Sequence, residues 1–122
     1  MSINNPVVST YTLKAASLVG GAATLLKVIG PKGLNGVLIG MSAVTTTAVT
    51  VAATDVLVGI TGTTAKYGTL AVPVATIGSG YNAPTIAAVD SNVIPADSIV
   101  LIGTGGAATA GAADITVTIA WI

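Results

Sequence analysis

DITVTIAWI, Asp114 to Ile122, alternates without a break. In an extended chain, successive side chains point to opposite faces. Ile115, Val117, Ile119 and Trp121 therefore share one side, and Thr116, Thr118 and Ala120 share the other. A helical period of 3.6 would scatter both sets. The stretch reads as a strand with its first set in a core. That core is aliphatic, with Trp121 its largest member, because the chain has one tryptophan and no phenylalanine.

The residues just before it, GTGGAATAG (Gly103–Gly111), look like a phosphate-binding loop. A P-loop needs a lysine after its glycines and a helix to follow; a dinucleotide fingerprint also needs that helix, whose N-terminus takes the pyrophosphate. Here there is no lysine, and a strand follows. The run reads as a flexible, uncharged loop joining two strands, small enough in its side chains to lie flat against a neighbour.

The same period of two extends back through the chain. TLLKVI (Thr24–Ile29), VLIGM (Val37–Met41), TTTAVTVAA (Thr45–Ala53), VLVGI (Val56–Ile60), TLAVPVATI (Thr69–Ile77), TIAAV (Thr85–Val89) and SIVLIG (Ser98–Gly103) read as strands, being short, β-branched and bounded by turn residues. GPKGLNG (Gly30–Gly36), TGTTAKYG (Thr61–Gly68), GSGYNAP (Gly78–Pro84) and DSNVIPAD (Asp90–Asp97) read as turns or loops. Pro73 marks its strand as an edge or a bulged one, because proline cannot donate to a ladder. The expected fold is all-β: a jelly-roll-like β-sandwich of about eight short antiparallel strands. Residues 1–22 read as an extended N-terminal arm and linker, and 23–122 as the sandwich domain. Asn4, Asn5, Pro6 and Tyr11 are the arm's candidate partner contacts, since an extended segment can add to a neighbour's sheet edge.

Composition limits the chemistry. The chain has 122 residues, which suits one domain, and only 7% are charged, against about 25% in ordinary soluble domains. Lys14, Lys27, Lys32 and Lys66 balance four aspartates, and the net charge is zero. Phosphate neutralisation by nucleic-acid binders requires clustered cations, which are missing here. Membrane partners are not expected either: the uncharged stretch Gly33–Thr54 is broken by Gly36 and Gly40 and loaded with threonine, unlike a spanning helix. The opening MSINNPVVST has neither the basic nor the apolar region of a signal peptide. With no cysteine and no histidine, there is no thiolate metal site and no usual base for a nucleophile. Asp90, Asn92 and Asp97 offer oxygens for calcium, but at no EF-hand spacing; aspartate and asparagine in turns usually bond their own backbone. Asp55, Asp90, Asp97 and Asp114 single out no glycosidase pair. No enzyme activity and no cofactor are expected. A threonine ladder of the ice-binding kind would need many stacked T-x-T rows. Of Thr45, Thr46, Thr47, Thr50, Thr116 and Thr118, only the last two supply one in a regular strand.

LLKVIGPKGLNGVLIGMSAV (Leu25–Val44) and NVIPADSIVLIGTGGAATAGAADITVTIAWI (Asn92–Ile122) resemble the small all-β decoration, or cement, proteins of tailed-phage capsids. The likeness lies in strand order and style and carries over no functional residue. It implies a virion protein on the capsid exterior, made in the host cytoplasm. Its partners would be the major capsid protein and copies of itself, with a trimer favoured over a dimer. The alternatives are a carbohydrate-binding or adhesive module of a phage fibre or cell surface, or a tail-tube or pilus-like subunit. A sugar site would draw its aromatics from Tyr11, Tyr67, Tyr81 and Trp121. Low surface charge independently suits a subunit that lives packed against other proteins.

Overall fold

The structure, a computed structural model, describes residues 7–19, 23–74, 76–88 and 93–122. Among them are ten strands: β1 (Val7–Ser17), β2 (Ala23–Ile29), β3 (Gly36–Thr50), β4 (Thr54–Ile60), β5 (Thr63–Val72), β6 (Gly80–Tyr81), β7 (Thr85–Ile86), β8 (Val93–Ile94), β9 (Ile99–Gly106) and β10 (Ala110–Trp121). One sheet runs β1-β10-β3-β6, with β8 also on β3; the other runs β2-β9-β4-β5-β7. All pairings are antiparallel.

The pairing is nested: β1 with β10, β2 with β9, β3 with β8 and β4 with β5. These pairs form one long hairpin rolled over on itself, and β10 on β3 and β9 on β4 close the roll. That is jelly-roll winding in a two-sheet sandwich. β6 and β7 are additions of two residues each.

The core lies between the sheets. Ile115, Val117, Ile119 and Trp121 of β10 are buried, alongside Leu38 and Met41 of β3, Val56 and Val58 of β4, and Val100 and Ile102 of β9. Trp121 closes one end. A Cβ on Gly30 would stand 2.4 Å from its ring and one on Gly36 2.6 Å, so GPKGLNG is both a turn and the seat of the indole.

Several expectations need correction. The division at residue 22 does not describe the fold, because β1 is a full member of the first sheet, in register from Val7↔Trp121 to Leu13↔Ile115. Val37–Met41 and Thr45–Thr50 belong to a single strand of 15 residues, and Val51–Ala53 lie beyond its end. Gly40 does not break it; the register slips by one residue there instead, between the pairs Thr118↔Gly40 and Ile119↔Leu38, a β-bulge that absorbs the irregularity. TGTTAKYG is a tight turn at Thr61–Gly62 followed by β5, and Tyr67 is a buried strand residue. Pro73 ends β5.

The glycine run is not a flexible loop either. β9 continues to Gly106 and β10 begins at Ala110, which leaves only residues 107–109 to cross between the sheets. Ala108 is buried in that crossing. Gly106 (φ 153) and Gly111 (φ 149) flank it in conformations suited to glycine, and a Cβ on Gly106 would meet Thr54 Cα at 2.7 Å. Smallness here serves close packing.

Thr45 ties a loop to the sandwich from a buried position. Its hydroxyl donates to the Thr76 carbonyl (2.6 Å) and accepts from the Ser79 N–H (2.9 Å). Its backbone N–H donates to the Ser79 carbonyl (2.9 Å), and its carbonyl accepts from the Gly78 N–H (2.7 Å). Thr45→Val keeps the shape but leaves Thr76 and Ser79 each short of a partner. We expect it to cost about 1–3 kcal/mol in chemical denaturation and to speed proteolysis at Thr76–Ser79. A variant as stable and as resistant as the parent would show that the hydroxyl does not hold this loop.

Candidate interaction surface

The outer face of the first sheet is built from cross-strand rows. Residues directly opposite in an antiparallel pair point to the same face. The registers therefore set Val8, Ala120, Val37 and Val93 in one row and Thr10, Thr118 and Gly40 in the next. Thr12, Thr116 and Ser42 form a third. The bulge residue Ile39, half-exposed, stands beside them. Among the described residues charge enters this face only at one end, where Lys14 Nζ lies 3.7 Å from Asp114 Oδ2, both in reach of water. An exposed pair of this kind adds little stability.

Asp114 also accepts a hydrogen bond from the Ala15 N–H (2.8 Å). Ala15 sits at φ 48, in the left-handed region, where β1 bulges between Leu13 and Ala16. The carboxylate thus supports a strained turn of the edge strand.

The hydroxyl rows contain two T-x-T motifs, Thr10-Tyr11-Thr12 and Thr116-Val117-Thr118, side by side. Sequence reading found the second only. The alternation Val8, Thr10, Thr12 against Val7, Ser9, Tyr11 was the available signal for the first. Thr45 and Thr50 do not join: Thr45 faces the core, and Thr50 lies 3.3 Å from Thr109 at the sheet's far end.

A cleft of about 250 Å³ lies on the other sheet, lined by Leu57 and Leu101, the threonines Thr24, Thr61 and Thr64, and Lys27. It contains no carboxylate. Among the described residues no cluster of three or more potential metal ligands occurs. Of the three calcium candidates, Asp90 and Asn92 lie outside the described residues, and Asp97 accepts from the Gly33 N–H at 3.1 Å.

Asn4, Asn5 and Pro6 lie outside the described residues. Tyr11 is no arm residue: it is half-buried in β1, packed on the core and paired with Val117. Trp121 and Tyr67 are buried, and Tyr81 is half-buried in β6, so the four aromatics do not form an exposed platform for a sugar ring. Burial pushes the Tyr67 hydroxyl above its usual pKa, and Lys66 Nζ stands 5.9 Å from its ring centroid. Among the described residues no helix is long and apolar enough to cross a membrane.

No family model, curated protein or solved structure matches this chain.

Proposed function

We propose that this chain is a structural virion protein, a capsid decoration subunit that binds the outer surface of the major capsid lattice and stabilises it. The observation that carries the reading is the face built by β1, β10 and β3. It is wide, made of valine and hydroxyl rows, and among the described residues charged only at its Lys14–Asp114 end. Such a face loses little on desolvation, because few charges must leave water. Many copies on one lattice compensate for a weak single contact. The jelly-roll winding suits the same role, being common in virion proteins, although fold alone decides no function. The sugar-binding alternative is weakened by the burial of its aromatics.

Mass spectrometry of purified virions tests the placement, and absence of the protein would sink it. Thr118→Lys tests the face, because it sets a charge in the middle of the hydroxyl rows. Occupancy on purified capsids should fall about tenfold, which is 1.4 kcal/mol. Unchanged occupancy would move the contact elsewhere.

A further inference from the structure

The two flanks of the sandwich are protected differently. On one flank the edge strands β6, β7 and β8 are two residues each. Pro84 precedes β7 and Pro95 follows β8. Short strands and nearby prolines are the usual protection against unwanted edge pairing. On the other flank, β2 carries Lys27 in mid-strand and a register shift between Thr24 and Leu26, two further protective features.

β1 has none of these from Val7 to Leu13. The stretch contains no proline, charge or bulge, and among the described residues it pairs with β10 alone. Its irregularity and its lysine come only after Leu13. A flat, uncharged edge of this length is a template for another strand.

We propose that β1 pairs with β1 of a second copy, antiparallel, about a two-fold axis at Thr10. The sequence around Thr10 is self-complementary in that register. Val8 faces the partner's Thr12 on the outer side, and Ser9 faces the partner's Tyr11 on the inner side. Val7 meets the partner's Leu13, so an apolar pair closes each end of the ladder. The two Lys14 residues lie at opposite ends, about 27 Å apart at the usual rise per residue, beyond the screening length of about 8 Å at physiological salt. With a net charge of zero, no long-range repulsion opposes the approach. The contact is isologous, so it closes at two copies. It would join the two valine and hydroxyl faces into one continuous sheet. It does not depend on capsid docking.

Sedimentation of the full chain over a concentration series should give a monomer–dimer equilibrium. Amide exchange in β1 should slow as concentration rises. Thr10 is exposed, so Thr10→Lys and Thr10→Glu should leave the monomer's stability close to the parent's. Each variant sets like charges opposite one another on the axis, which destabilises a strand pair. Each should raise the dissociation constant about tenfold or more. Mixing the two should restore a pair containing one copy of each. Thr118→Lys is the control, because its two copies would stand about 14 Å apart across three strand spacings; it should leave the dimer intact while weakening capsid binding. A monomer up to the solubility limit, a trimer, or a dimer indifferent to charge at position 10 would overturn the pairing. A dimer that ignores capsids would overturn the decoration reading instead.

Discussion

Trp121→Ala should cost about 3–5 kcal/mol of unfolding free energy, within the range for deleting a large buried aromatic. The indole is the largest buried side chain and is 1% exposed. What surrounds it sets the expected loss at the upper end. Gly30 and Gly36 lie against the ring, where even a Cβ would clash. They have no side chains with which to fill the space. The cavity left behind should therefore collapse poorly, and poor collapse is what raises the cost at fixed chemistry. Ile94, opposite Gly36 on β8, is buried in the same core cluster as the ring. Because the protein has a single tryptophan, the variant must be followed by far-ultraviolet circular dichroism in denaturant instead of by fluorescence. An unchanged m-value would confirm that the native state, and not the extent of unfolding, had changed. Trp121→Phe should lose much less, since it keeps most of the ring and deletes an indole N–H that has no acceptor among the described residues. A loss under about 1 kcal/mol for the alanine variant would mean that the end of the sandwich is not closed by this ring.

The last strand was legible because its pattern is local. Alternation over Asp114–Ile122 required no knowledge of the partner, and the buried set follows from it directly. β1 was hard to read as a strand because polar residues and a proline, Asn4-Asn5-Pro6, precede it and because its partner lies at the other end of the chain, Val7 against Trp121. Nothing near residue 7 announces that pairing. The glycines were legible as turn formers and illegible as packing devices. Gly30 and Gly36 are small because of Trp121, and Gly106 because of Thr54. These causes are tertiary, and local propensity does not contain them. The outer face of the first sheet had the same difficulty. Thr116 and Thr118 were visible as a T-x-T, but the array exists only once Thr10 and Thr12 are laid beside them in register.

Gly59→Ala should be the most damaging of the glycine substitutions, at about 3 kcal/mol or more, the upper range for forcing atoms into a packed site. Gly59 lies where the register of β4 against β5 slips, between Val58↔Gly68 and Ile60↔Thr63. The turn at Thr61–Gly62, with Gly62 at φ 84, folds the start of β5 back over it. A Cβ there would stand 2.3 Å from the Thr63 carbonyl oxygen and 2.5 Å from the Thr64 carbonyl carbon and oxygen. These are main-chain atoms, so no side-chain rotation relieves the contact, and the hairpin itself must move. Thr61, Gly62 and Thr64 also line the cleft over Leu57 and Leu101, which should deform with them. Gly105→Ala on neighbouring β9 is the matched comparison. Its Cβ would meet Leu57 Cδ1 at 3.0 Å, the far end of a side chain that can turn away, so the loss should stay below about 1 kcal/mol. Denaturant titration of the two variants orders them, and amide exchange across Ile60–Lys66 locates the damage. Equal losses would mean that the tip of the hairpin yields freely and that Gly59 is not what fixes its path.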